Sequence, residues 1–270
     1  MTNTPSSATD QKNSVAIVTG SATGLGAAVA RQLADQGHQV VINYTKSKAE
    51  AEATLQICLD AGVEAIAVQA NVADDADCQR LAATTMEKWG RIDILVNNAG
   101  ITKFADHDDL DALTADDFQR LYAVNVIGVY QMVRACAPHM KAAGNGSVVN
   151  VSSIAGVTGI GSSVAYTASK GALNTLTLSL ARALSPEIRV NAVCPGFIGT
   201  RWFSDTLGDE ILEQLKQQQE KTTPLGRAGT PEDIAGSIVF FASNASRHIT
   251  GETLLCDAGM HLGFASLSMR

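Results

Sequence analysis

Val15-Ala-Ile-Val-Thr-Gly20-Ser-Ala-Thr-Gly24-Leu-Gly26 joins a short apolar strand to a glycine-rich turn, and a helical apolar pattern over 27–36 starts directly behind it. Glycines spaced as TGxxxGxG let backbone approach a pyrophosphate at a helix N-terminus, where unpaired N–H groups and the helix dipole favour an anion. A second strand, 40–44, follows within a few residues, and the alternation then recurs. Helix 47–61 leads to strand 65–71, helix 74–89 to strand 92–97, helix 115–142 to strand 147–151, and helix 163–184 to strand 188–194. Helices near 205–219 and 231–243 precede the last strand, 252–256. Seven apolar strands separated by helices predict an α/β domain with a parallel, doubly wound sheet covered on both faces.

The 270 residues suffice for one large domain, expected over 14–270 after a polar, disordered tail at 1–13. A hydrophobic fraction of 46% against 17% charged residues requires a substantial buried core. A net charge of −7, with no basic block, disfavours nucleic acid as a partner. No apolar run approaches a membrane span and the N-terminus lacks a secretory h-region, so a cytoplasmic protein without membrane attachment is expected. Cys58, Cys78, Cys136, Cys194 and Cys256 are widely spaced, which disfavours disulfides and zinc, and Cys194 reads as a small buried hydrophobe. His107, His139 and His248 lack metal-ligand spacing, so no metal is expected. The glycine- and proline-rich stretch 195–230 follows a strand's carboxyl end, and a substrate lid is expected over about 196–225.

Tyr166-Thr-Ala-Ser-Lys170 sets a phenol and an ammonium on one helix face, where the cation is expected to favour the phenolate and yield an acid/base near neutrality. Ser153, thirteen residues earlier, ends strand five on the side where such sheets bind ligands. After the second strand, Tyr44, Thr45 and Lys46 occupy the place where an acid would read a ribose 2′-hydroxyl. With no carboxylate there and Lys48 nearby, NADP(H) is favoured over NAD(H).

The glycine turn, Asn97-Asn-Ala-Gly100 after strand four, Tyr166-x-x-x-Lys170 and Pro195-Gly196 after strand six stand in order over about 14–260. The chain therefore resembles the short-chain dehydrogenase/reductase family, in the branch of the 3-oxoacyl-acyl-carrier-protein reductases. The resemblance implies a single Rossmann-like domain and hydride transfer between a nicotinamide and a ketone or secondary alcohol. It implies a pyrophosphate cradle of Gly20, Ser21, Thr23, Gly24, Leu25 and Gly26, an adenine contact at Asn71 beside Val72, and a ribose wall of Asn98, Ala99 and Gly100. Pro195, Gly196, Ile198 and Thr200 would reach the nicotinamide side. Thr23 stands where several NADP-using relatives carry a basic residue, which keeps NAD(H) open.

By the same resemblance Ser153 binds the substrate carbonyl and Tyr166 exchanges its proton. Lys170 binds the nicotinamide ribose and tunes Tyr166, while Asn125 holds a relay water. Phe104, Val157, Trp202 and Phe203, with Ser153, are expected to line the substrate site. The acyl-carrier reductases present arginines to their acidic partner where this chain has Gly144 and Glu187. A free small-molecule carbonyl or alcohol is therefore preferred to a carrier-bound thioester. A nucleotide sensor without chemistry is disfavoured by the complete Asn125, Ser153, Tyr166 and Lys170 set. A homotetramer packing helices 115–142 and 163–184 is implied by the resemblance.

Overall fold

The computed structural model describes residues 14–263, so the segment 1–13, expected as a tail, and residues 264–270 lie outside the described residues. In chain order the elements begin with β1 (Val15–Val18), α1 (Gly24–Asp35), β2 (Gln39–Tyr44), α2 (Lys48–Asp60), β3 (Ala65–Gln69), α3 (Asp75–Trp89) and β4 (Ile94–Asn97). Then come α4 (Ala115–Tyr122), α5 (Val129–Ala143), β5 (Gly146–Val151), α6 (Ala155–Thr158), α7 (Val164–Leu184) and β6 (Ile188–Pro195). The described chain closes with α8 (Arg201–Leu207), α9 (Asp209–Thr222), α10 (Pro231–Ala242) and β7 (Thr253–Cys256).

All seven strands pair in parallel in the order β3-β2-β1-β4-β5-β6-β7, as the alternating pattern predicts. Successive residues of β1 serve opposite layers because strand side chains alternate. Ala16 and Val18 join Leu33, Ile238 and Phe241 in a core under α1 and α10, whereas Ile17 joins Leu95, Met132, Met140 and Leu180 in a core under α5 and α7. Local signals fix several helix starts. Asp74 accepts from the N–H groups of Ala76 and Asp77 at α3, and Thr114 with Asp117, and Thr230 with Asp233, form capping boxes at α4 and α10. The strand order reverses direction between β1 and β4, so their carboxyl ends open a crevice.

Two segments differ from the sequence pattern. The helix expected over 115–142 is broken by a π-helical turn at Ala123–Gly128, which contains Asn125. The stretch 195–230 holds one helix more than expected: besides α9, near the helix expected at 205–219, α8 forms ahead of it, and neither buries a residue. Among the described residues no helix is long and apolar enough to cross a membrane.

Candidate active site

The glycine turn is shaped by its neighbour across the crevice. A Cβ added at Gly26 would lie 2.5 Å from both Asn98 Nδ2 and the Gly20 carbonyl oxygen, and one at Gly20 would lie 2.9 Å from Ala99 Cα. Side chains are excluded there because β4's end packs into the turn. Asn98 Nδ2 donates to the carbonyls of Thr19 and Gly20, both at 2.9 Å. Asn43, 1% exposed, accepts from the Gly20 N–H at 3.0 Å and donates to the carbonyls of Val68 and Ala70. These bonds tie the turn to β2, β3 and β4. The sequence reads Asn43 only as part of the second strand, yet it is the buried clasp of the turn.

A single cleft of about 1150 Å³ runs from Tyr44, Thr45, Lys46 and Asn71 past the turn to Ser153, Tyr166 and Lys170. Its lining includes Gly20, Thr23, Gly24, Leu25 and Gly26, then Val72, Asn98, Ala99 and Gly100, and Pro195, Gly196, Ile198 and Thr200. Ser21 does not line it. That side chain is fully buried, donating to the Val18 carbonyl at 2.7 Å and accepting from the Asn43 N–H, so it braces the turn from behind. Asn71 stands at the far end, where its Oδ1 accepts from the Ala73 N–H and keeps a second lone pair.

These residues fit a dinucleotide. Thr23 caps α1 without any side-chain hydrogen bond to the helix, and α1 has no acidic residue in its first turn. The first turn of α1, Gly24–Gly26, lines the cleft beside a turn with no room for a Cβ at Gly20 or Gly26, an arrangement suited to a pyrophosphate.

At the other end, α7 presents Tyr166 and Lys170, and the end of β5 presents Ser153. Lys170 is 4% exposed, donates to the Val151 carbonyl at 2.8 Å and stands 5.7 Å from the Tyr166 ring centroid. Ser152 donates to the Lys170 carbonyl from the protein side, whereas Ser153 Oγ accepts from the Ala155 N–H beside Tyr166. Asn125 is 1% exposed and is not part of the lining. Its Oδ1 accepts from the Ile101 N–H, and its Nδ2 donates to the Ile101 carbonyl and to Ser169 Oγ. Ser169 in turn donates to the Tyr166 carbonyl at 2.7 Å. The π-helical turn therefore lets one side chain join the loop after β4 to the Tyr166 turn of α7.

The electrostatics correct one expectation. Burial pushes the Tyr166 phenol up to about 12, with the Ser153 hydroxyl pulling the other way. Burial also pushes Lys170 down, to about 8. The four-residue spacing gives proximity, but desolvation opposes the charged form of each group and is the largest cause of both shifts. Tyr166 thus holds its proton at neutral pH. Cys194, fully buried behind the pair, is a packed thiol whose pKa burial also raises.

The substrate end is aromatic. Phe203 contacts Phe104 at 6.0 Å and Phe197 at 4.8 Å between ring centroids, and Trp202 lies 6.4 Å from Tyr166. Phe104, Trp202 and Phe203 all line the cleft. Val157 does not; Ile160, past the short helix α6, takes that side instead. Phe197 and Leu215 are lining residues the sequence left unassigned: Phe197 packs on Phe203 from the segment after β6, and Leu215 comes from α9.

A family model described as Enoyl-(Acyl carrier protein) reductase matches residues 20–261. The candidate ketoacyl reductase 2 of the granaticin polyketide synthase of Streptomyces violaceoruber is 42% identical over 248 residues, covering 92% of this chain and 96% of that one. The 3-oxoacyl-[acyl-carrier-protein] reductase FabG of Staphylococcus aureus is 37% identical over 248 residues, covering 92% and 98%. A crystal structure of a candidate short-chain dehydrogenase/reductase from Burkholderia xenovorans matches with a TM-score of 0.85 and 40% identity, covering 93% of this chain and 99% of that one.

Proposed function

The chain belongs to the short-chain dehydrogenase/reductase family and is an NAD(P)-dependent oxidoreductase acting on a ketone or secondary alcohol, and from that premise we propose that it reduces a free small-molecule ketone with Tyr166 as the proton donor. The carrying observation is geometric: Tyr166, Ser153 and Lys170 stand together at the end of a dinucleotide-shaped cleft. When bound, the nicotinamide coenzyme supplies the hydride. Ser153 and Tyr166 hydrogen-bond the carbonyl oxygen, stabilising the charge that grows there. Tyr166 then gives up its proton, and Lys170, an ammonium below about pH 8, opposes the charge left on the phenolate. Asn125 fixes the Tyr166 turn through Ser169. Its side chain is committed to these contacts, so the water relay implied by the family would use its main chain.

Lys46, at the ribose end, with no acid among its neighbours Tyr44, Thr45 and Ser47, supports NADP(H) as the preferred coenzyme. Parallel titrations with NADPH and NADH test that preference. The described thiols are all free, which suits a reducing compartment such as the cytoplasm. Ile127, Tyr130 and Leu178 expose apolar surface on the π-helical turn, α5 and α7, which supports a homotetramer, to be checked by light scattering.

Two relatives are named for ketoacyl or acyl-carrier substrates, which favours a carrier-bound thioester as the second reading. Surface charge favours the first. Gly144 closes α5 with a left-handed φ of 79° and carries no cation, Glu187 is acidic, and Asp106 and Asp205 line the cleft. An acidic carrier meets like charge there. Initial rates on a ketone panel and on an acyl-carrier thioester decide between them; strong preference for the thioester would defeat the free-ketone reading.

A further inference from the structure

We propose that the substrate end selects ring ketones, neutral and apolar compounds whose carbonyl lies in a ring, over open-chain ketones of the same carbon count; this rests on the free-ketone reading above. The first support is the wall itself. Phe203 is wedged between Phe104, from the loop after β4, and Phe197, from the segment after β6, so rings from separate segments are already packed together. Trp202 adds a further ring surface beside the reacting phenol. Packed rings prefer offset or edge-to-face partners, and a cyclic ligand offers flat faces and edges in that geometry. A ring also brings few torsions to freeze, whereas an alkyl chain loses rotamer freedom on entering a preformed wall.

The second support is polar. Among the described residues, the cations at this end are already engaged: Arg201 pairs with Glu50 and Asp205. His107 Nε2 lies 2.9 Å from the Gly161 carbonyl, and the hydroxyls of Thr102 and Ser162 bond each other. The buried side-chain polar atoms that lack a hydrogen bond, on Asp75 and Arg189, lie outside the cleft. Apart from Ser153, Tyr166 and Lys170, the charged groups lining this end are Asp106, Asp205 and the paired Arg201, and the rest of the wall is aromatic and aliphatic. A substrate carrying a phosphate or a carboxylate would meet like charge at Asp106 and Asp205.

The test compares 2-tetralone with 2-decanone, which have equal carbon counts, using the full-length enzyme and NADPH. The expected kcat/KM ratio is at least tenfold in favour of the ring. Trp202→Ala and Phe203→Ala should each narrow that ratio by about fivefold, chiefly through KM, and Trp202→Phe should restore most of it. Equal rates on the two ketones, or variants that slow both alike, would overturn ring selection while leaving the reductase reading intact. Consumption of an acetoacetyl-carrier thioester with neither ketone turned over would overturn both.

Discussion

At the coenzyme end of the cleft, the glycine turn is gripped by Asn43, on β2, and Asn98, directly after β4, through bonds to Gly20 and Thr19. At the substrate end, α8 and α9 bury no residue and meet the rest through ring contacts and exposed ion pairs. One end presents a shape common to any dinucleotide, so rigidity there is useful. The other must fit a particular molecule, and few backbone bonds constrain its wall. The difference teaches where specificity is cheap to change: lid side chains can vary without disturbing the sheet that orients the chemistry.

The sharpest way to break this division is at the junction of the two ends. Tyr166→Phe keeps the ring and its contact with Trp202 but removes the proton. Turnover should fall roughly 10³-fold, the range of a lost general acid that also stabilises charge. Coenzyme affinity, read by fluorescence titration, should stay close to that of the wild type. Substantial residual turnover would mean that Tyr166 is not the donor.

Lys170 tests whether the chemical end carries a stability cost. Its pKa in the folded protein, about 8, lies below the ordinary 10.5, so the folded state binds fewer protons between those values. Stability from this group is therefore fully present above about pH 10.5 and is lost as pH falls through 8. Below pH 8 the buried ammonium costs stability on the order of 3 kcal/mol. Cys58, Cys78 and Cys136 act oppositely, because burial raises them from 9.0 to about 11, 12 and 12 and stability falls as unfolded thiols ionise. Only the difference between wild type and Lys170→Met isolates the lysine. At pH 7 Lys170→Met should be more stable by up to about 3 kcal/mol in urea unfolding while losing activity, and the gap should close towards pH 10.5. A gap that does not change with pH would sink this account.

The sequence made the rigid end readable because its signals are local. The TGxxxGxG spacing, the run into Asn97-Asn-Ala-Gly100 and the Tyr166/Lys170 interval each fix backbone or helix-face geometry within a few residues. Ser21 was misassigned because spacing shows that a residue sits in a turn but not which way its side chain points. The π-helical turn escaped because widening one turn leaves the apolar pattern of the flanking helices almost unchanged. Tyr166 was expected to ionise easily because spacing reports a nearby cation and is silent about burial. Val157 and Ile160 exchanged places for a related reason: the short helix α6 and its left-handed end at Gly159 decide which residue faces the cleft.

Gly26→Ala sharpens the contrast from the coenzyme side. The new methyl would meet Asn98 Nδ2 and the Gly20 carbonyl at 2.5 Å, and neither atom belongs to a freely movable side chain, since Asn98 is held by two bonds. Overpacking of this kind costs about 2 kcal/mol. Because the displaced atoms form the cradle, the coenzyme dissociation constant should rise about thirtyfold. Unchanged affinity would show that the turn adapts and that its rigidity has been overstated.

The smallest effect belongs to the lid. Arg201 links α8 to Glu50 on α2 at 3.4 Å and to Asp205 at 3.5 Å, but its side chain is 62% exposed and both acids are open to water. Such pairs are screened by solvent and ions and must hold long side chains in one geometry, so they contribute little to stability. Arg201→Ala should therefore move the melting temperature by no more than about 2 °C. Addition of salt should narrow even that gap, whereas salt leaves the desolvation behind the Lys170 effect largely untouched. A shift of more than about 5 °C would mean that the Arg201 clasp, rather than the aromatic contacts, holds α8 over the cleft, and the two ends would then be fixed by similarly strong polar ties.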